Sequence, residues 1–396
     1  MPRQLTKPWI QSYIDYVSPA SQSPDEFHWW SAITILAASL KRHVWIDRGN
    51  WKLFPNLYTV LVGRPATGKG TSINPAMALL KEANTANVLS DRLTIEYVLE
   101  RLSTGFPSTN IIGGQITTAV DSSAIIFASE LSVFLRKSTD ALADLAQLWD
   151  CLPDFDYGTR QRGMYTIKNP CVSLLGGSPP SWLAKSVPND AVGGGFTRRV
   201  NFVYTKSDPV LPTWEPLHPS LNGTGKRRDE LIDDLRLIHG LRGQFKATPE
   251  FIKTFDAYTQ ATKFDDFDDE SKTGFKASKW VNTTKLCMIL SISRDDSFLL
   301  RKEDLNLAIK MTDKVEEDLG LVFRTVGESS DTVAAGHILN FVERRGKATF
   351  SHILQATWRH SSKDDTIRIL STLVGAGLLG EGMSGTSTIY TFKKIP

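Results

Sequence analysis

The stretch Leu57–Leu80, LYTVLVGRPATGKGTSINPAMALL, decides how the rest of the chain is read. An apolar run ends at Gly63, a loop of glycine, proline and threonine follows, and apolar residues then return at helical spacing. Strand, glycine loop and helix in that order suit phosphate, because backbone N–H groups of the turn and of the helix N-terminus converge on an anion. The pattern G-x-x-x-x-G-K is met at Gly63, Gly68 and Lys69, but Gly70 stands where Ser or Thr is usual, and the hydroxyl comes one place later at Thr71. On a helix that delay turns the hydroxyl by about 100°, which predicts a Mg²⁺ held partly through water. Gly63, Pro65, Ala66, Thr67 and Gly68 would wrap the phosphates, Lys69 would reach the β and γ oxygens, and Gly70, Thr71 and Ser72 would open the helix beneath them. A plain strand–turn–helix joint with a stray lysine is the competing account.

Working outward, apolar and amphipathic segments alternate. SPDEFHWWSAITILAASLKR carries helix start and stop signals, HVWIDRG reads as a strand, and NWKLFPNLYTVLVG leads through Pro55 into the strand before the loop. After a polar helix around DRLTIEYVLERLS, AIIFASEL is a short buried strand, DALADLAQLWDCL a helix, and FDYGTRQRGMYTIKNP a hairpin around Gly163. CVSLLGGSPPSWL and GGGFTRRVNFVYT supply two more strands. Such alternation predicts a mostly parallel, doubly wound α/β sheet.

From about Asp208 a Pro-rich crossing segment gives way to helical patterns, with the acidic run FDDFDDE read as a solvated loop. The last unit reads as three short helices, a Gly/Ser-rich turn and a β-rich tail, the order of a winged helix. It is locally basic, with eight Lys/Arg and four Asp/Glu between Thr332 and Pro396. The predicted organisation is a helical N-terminal region (1–50), the phosphate-loop core (51–207), a helical lid (208–330) and a winged helix (331–396).

Composition excludes several classes. Lys+Arg number 46 against 43 Asp+Glu, so any basic surface is local. The three cysteines, Cys151, Cys171 and Cys287, form no C-x-x-C pair and the seven histidines no H-x-x-x-H, which argues against a zinc site or a disulfide framework. With no disulfide framework a reducing, cytoplasmic setting is expected, and no run reaches the length of a membrane span and the N-terminus has no signal core.

Four further elements complete a candidate site. Glu130 ends the strand AIIFASEL, where it would polarise an attacking water, with Ser129 in the place of a metal-binding acid; a helix-capping acid is the bland alternative. Ser178 ends another strand within reach of a γ-phosphate, although turn formation explains Gly176, Gly177, Pro179 and Pro180 equally well. Arg198 and Arg199 precede a strand, where one would reach a neighbouring subunit's γ-phosphate and the other pair with an acid of its own subunit, or both would be surface charges. The hairpin carries Arg160, Arg162 and Lys168 beside Tyr157 and Tyr165, a mixture suited to single-stranded nucleic acid or to an ordinary solvated hairpin. Lys41 and Arg42, at a helix end, are read as partners of the helix dipole.

In this order the segments HVWIDRG, LFPNLYTVLVGRPATGKGT, IIFASELSVFL, NPCVSLLGGSPPSWL, GGGFTRRVNFVY and the helical KLCMILSI and KEDLNLAI resemble a family of phage and prophage P-loop replication proteins of the helicase or primase-helicase type, over most of residues 25–325. The resemblance implies a RecA/AAA-like ATPase core, related to viral superfamily 3 helicases and assembling as a homo-oligomeric ring, expected to be a hexamer. It implies ATP and Mg²⁺ at Lys69 and Thr71, Glu130 as the catalytic acid, and Arg198 or Arg199 acting across the subunit boundary. Single-stranded DNA would run through the ring, with duplex DNA at the winged helix and no membrane partner. A second expectation is an ATP-switched DNA-binding regulator or helicase-loading adaptor, favoured by Ser129. A small-molecule kinase shares the G-K-G-T spelling but has no use for the arginine pair.

Overall fold

The computed structural model describes residues 3–90, 92–112, 115–135, 139–159, 163–187, 194–207, 225–262, 270–323, 330–358, 361–384 and 387–393. The chain divides into two compact units, Met1–Phe323 and Arg324–Pro396.

The first unit opens with α1 (Trp9–Val17) and α2 (Asp25–Leu40). Asp25 and Glu26 lie in the first turn of α2, where they face the positive end of the helix dipole. Thirteen residues of α2 are buried. A helix apolar all round is a core helix, and the small polar residues inside it are satisfied locally: the Thr34 hydroxyl lies 2.7 Å from the Trp30 carbonyl and 2.8 Å from Thr59 Oγ1. The strands β1 (Val44–Asp47) and β2 (Lys52–Leu53) form a short antiparallel pair ahead of β3 (Tyr58–Val62), which runs into the glycine loop and α3 (Lys69–Ala83).

Then come β4 (Val88–Ser90), α4 (Ile95–Thr104), a hairpin of β5 (Phe106–Ile112) and β6 (Gln115–Asp121), β7 (Ser123–Ala128), α5 (Leu131–Leu135) and α6 (Thr139–Trp149). A second hairpin, β8 (Asp154–Thr159) and β9 (Gly163–Lys168), leads into β10 (Cys171–Ser178), α7 (Pro180–Ser186), a 3₁₀ turn (Thr197–Arg199) and β11 (Val200–Tyr204). Gly163 has φ +77, which only a residue without Cβ adopts freely, and it starts β9 as expected of the hairpin turn.

Five strands make the central sheet in the order β11-β3-β10-β7-β4, every pair parallel. All five residues of β3 and all eight of β10 are buried, as strands covered on both faces must be. The arrangement is that of an α/β protein, compatible with a P-loop-like core. Beyond the sheet, α8 (Gly225–Gly240), β12 (Gly243–Gln244), β13 (Lys246–Ala247), α9 (Pro249–Ala261), α10 (Glu270–Arg294), β14 (Leu299–Leu300) and α11 (Lys302–Val322) complete the unit. The Pro-rich crossing segment and most of the acidic run lie outside the described residues.

The second unit contains α12 (Ser330–Arg345), β15 (Lys347–Thr349), α13 (Phe350–Thr357), α14 (Lys363–Gly375), β16 (Leu379–Ser384) and β17 (Ser387–Phe392), with an antiparallel sheet ordered β15-β17-β16. Ala334, Ile338 and Val342 form one stripe of α12 and pack with Ile353, Ile369, Leu373 and Tyr390.

Candidate nucleotide site

In a parallel sheet every strand delivers its carboxyl end to the same edge, and ligands bind there where the strand order reverses. Here that point lies between β3 and β10, because β3 connects toward β4 on one side while β10 connects past β3 to β11 on the other. Ser178 pairs with Val62, and Gly63 N–H donates to the Ser178 carbonyl at 3.3 Å. Gly176 pairs with Ala128, so Ser178 and Glu130 stand at one level, each two residues further along. The glycine loop, Ser178 and the Ser129–Glu130 pair therefore occupy three adjacent strand ends, in that order.

The loop is held by its own groups. Thr67 Oγ1 donates to the Arg64 carbonyl at 2.8 Å, and Lys69 Nζ donates to the carbonyls of Gly63 and Arg64, both at 2.7 Å. Burial lowers the Lys69 ammonium below its ordinary pKa, while the Glu130 carboxylate acts in the opposite direction. Helix α3 starts at Lys69 with Gly68 as its cap at φ +82, and the cap supplies no side-chain acceptor. The N–H groups of Lys69, Gly70 and Thr71 precede the first intrahelical bond, Ser72 N–H to the Gly68 carbonyl at 3.0 Å, and so remain for an anion.

Pro65, Ala66, Gly70 and Thr71 are exposed along this edge, whereas Ser72 is buried and its hydroxyl donates to the Lys69 carbonyl at 3.0 Å. A Cβ at Gly70 would meet nothing within 4 Å. Ser178 is buried, and its hydroxyl donates to the Pro179 carbonyl at 3.1 Å. Ser129 and Glu130 are exposed at the end of β7.

The glycines of SLLGGSPP are explained by neither turn formation nor chance. Gly176 and Gly177 lie inside β10, and a Cβ on Gly177 would come within 3.0 Å of the Ser129 carbonyl and 3.5 Å of Lys69 Cβ. Their lack of a side chain lets α3 and the end of β7 close over β10. Gly-Gly inside an apolar strand signals such an approach. Ser23 was not singled out either, yet its Cα lies 2.8 Å from where a Cβ on Gly68 would sit, so the segment before α2 forms one wall of the loop.

Arg198 and Arg199 lie at the other edge. Val200 pairs with Tyr58, the first residue of β3, so the arginines stand one strand length from the glycine loop, about 17 Å. Arg199 grips Asp150 with two bonds, Nε–Oδ1 at 3.1 Å and Nη2–Oδ2 at 2.8 Å, and lies over the Trp149 ring. It is thus the arginine paired inside its own chain. Arg198 Nε is buried with no hydrogen-bond partner among the described residues.

Of the expected nucleic-acid contacts, Arg160 and Arg162 lie outside the described residues, and Lys168 pairs with Asp154 directly across the hairpin at 2.9 Å. Tyr157 and Tyr165 share the hairpin face of the buried Phe155 and Ile167, so they do not alternate with Lys168 on its exposed face. Lys41 and Arg42 have partners more specific than a helix dipole: Lys41 pairs with Asp121 at 2.7 Å, and Arg42 donates to the carbonyls of Cys151 and Pro170. No cluster of three or more His, Cys, Asp or Glu able to hold a metal occurs among the described residues, nor any helix long and apolar enough to cross a membrane.

Compared with models of protein families and with curated proteins, the chain matches none.

Proposed function

We propose that the chain is an ATP-hydrolysing motor that acts on DNA, a helicase or translocase of phage or mobile-element replication built as a homo-oligomeric ring. The observation that carries this reading is the order of the three strand ends. With β10 between β3 and β7, Glu130 stands two strand spacings from the loop strand, about 10 Å, which leaves room for a γ-phosphate and a water between the loop and the acid. Lys69 would leave the carbonyls of Gly63 and Arg64 for the β and γ oxygens, Ser178 would orient the water, and Glu130 would polarise it. Mg²⁺ would neutralise phosphate charge, and Thr71 and Ser129 offer hard oxygen donors suited to holding it with water between. Arg198, a strand length away from its own loop and with bonding capacity unused, supports a role at the nucleotide of a neighbouring copy, hence a RecA/AAA-like ring and an expected hexamer.

The second unit supports the DNA assignment. Its order of helix, strand, two helices and a hairpin, with β15 against β17, supports reading it as a winged helix, which we assign to duplex DNA. The test is the ATPase rate with and without single-stranded DNA, read beside particle mass by light scattering. Stimulation by DNA in a ring-sized particle is expected. Ser129, in place of an acid, favours the second reading of an ATP-switched regulator or helicase-loading adaptor. A slow rate that DNA leaves unchanged, with assembly that depends on ATP, would decide for it.

A further inference from the structure

Where β7 and β10 begin, at the edge opposite the glycine loop, two hairpins meet the sheet: β5–β6 returns into β7 and β8–β9 into β10. Between their bases, the end of α2 and the turn after α8 lies a cleft of 560 Å³ whose walls carry Lys41, Arg42, Lys168 and Arg242 against one carboxylate, Asp121. That carboxylate is already engaged, by Lys41 Nζ at 2.7 Å, Asn87 Nδ2 at 3.2 Å and Ser123 N–H at 2.9 Å.

The two arginines are bound differently. Arg42 donates to the carbonyls of Cys151 and Pro170 and lies 4.0 Å from the Phe54 ring centre, and Arg242 donates to the carbonyls of His239 and Leu241 at 2.7 and 2.9 Å. Neither has a carboxylate within salt-bridge distance among the described residues. Carbonyl oxygens fix where the guanidinium groups sit but do not cancel their charge.

Two imidazoles line the same cleft. His43 and His239 have ring centres 5.1 Å apart, and the Nδ1 atom of each lies on a carbonyl, His239 O at 3.2 Å and Ser39 O at 2.8 Å. Burial, with Arg242, His239 and Lys41 adding to it, pushes His43 down to about 3. Burial lowers His239 as well. With Lys41 paired to Asp121 and Lys168 to Asp154, the cleft is left with the two guanidinium charges of Arg42 and Arg242, which no carboxylate among the described residues pairs.

We propose that this cleft binds phosphate groups of a single DNA strand, with Arg42 and Arg242 as the principal contacts and Lys168 as a third. It rests on the reading that DNA is the partner, and it puts the strand at the amino edge of the sheet, between the hairpin bases. Lys168 reaches a phosphate at small cost, because its pair with Asp154 is exposed on both sides and such pairs contribute little.

The test uses the full chain, a fluorescein-labelled dT oligonucleotide and anisotropy at several salt concentrations. Arg242→Glu should weaken binding roughly tenfold and lower the salt slope by about 0.7, the value for one single-strand phosphate contact. Asp154→Asn, which removes a surface carboxylate and frees Lys168, should tighten binding roughly twofold. Wild-type affinity and slope in Arg242→Glu would overturn the cleft and leave the DNA reading standing, whereas a wild-type chain that ignores the oligonucleotide would overturn both. Calorimetry with pyrophosphate on Lys69→Ala closes the remaining route: uptake that depends on Arg242, without any effect of Arg242→Glu on the oligonucleotide, would make the cleft a small-anion site and sink the proposal.

Discussion

The two edges of the central sheet handle charge in opposite ways. At the carboxyl edge the proposed anion site is made of backbone: the first turn of α3 presents N–H groups that no helical carbonyl can take, beside the Lys69 ammonium. At the amino edge, helices end and strands begin, so carbonyls point there, and side-chain cations satisfy them. Lys285 Nζ, fully buried, donates to the Asn56 carbonyl at 3.1 Å, to Asn56 Oδ1 at 2.7 Å and to the Trp149 carbonyl at 3.4 Å. Arg42 and Arg242 do the same for other chain ends. A parallel sheet thus sorts its helix termini by sign, and the same residue type sits differently at each edge: Lys69 half-exposed among loop carbonyls above, Lys285 fully buried below.

That contrast can be broken by substitution. The largest effect is expected at Lys69→Ala, which should slow ATP turnover by about 10²–10³-fold, read by phosphate release, while the thermal midpoint stays put because the ammonium binds only loop carbonyls and the Thr67 hydroxyl. A large fall in the midpoint would erase the distinction between the edges. Lys285→Met should do the reverse, lowering stability by about 2 kcal/mol in urea unfolding, since acceptors of Asn56 and Trp149 lose their donor inside the core.

The pH dependence of that pair is also specified. Burial lowers Lys285 to about 8 from 10.5. Between those values the unfolded chain binds more protons than the folded one, so wild-type stability rises with pH. The gap between wild type and Lys285→Met should widen from pH 8 to 10.5, and a gap that narrows there would contradict the burial of the charged amine.

Arg198 and Arg199 sharpen the comparison within one edge. Arg199→Ala should lose about 1–2 kcal/mol, because its two-point ion pair with Asp150 is mostly shielded. Arg198→Ala should leave the unfolding midpoint unchanged and slow ATP turnover. Equal stability losses in the two variants would remove the reason to assign them different tasks. The smallest effect belongs to Gly70→Ser. The site is open, so the change should stabilise by about 0.5 kcal/mol and should lower the Mg²⁺ concentration needed for half-maximal turnover.

Much of the frame was legible in order along the chain. LYTVLV, AIIFASEL and CVSLLGGS are apolar runs of strand length bounded by polar turns, and all three are buried parallel strands. WWSAITILAASL reads as a core helix because Ser and Thr interrupt it too often for a membrane span. The hairpin β5–β6 is absent from the sequence reading: TNIIGGQITT carries a Gly-Gly between β-branched residues, the signal of a two-strand turn, but its two strands pair only with each other, outside the main sheet. Tyr157 and Tyr165 misled for a related reason, since strand alternation turns every second residue inward and only the register with Phe155 and Ile167 tells which set it is.

The amino-acid order by itself determined the strand, loop and helix around Lys69, the alternation of the core, and the candidates Glu130, Ser178, Arg198 and Arg199, because each depends on neighbours a few residues away. Only the tertiary structure decided which strands stand side by side, that Arg199 and not Arg198 is matched by Asp150, and that Lys41, Arg42, Lys168 and Arg242 share one cleft. Those relations join residues up to two hundred positions apart, where no local spacing carries information and only the packing of buried strands and helices brings the charges together.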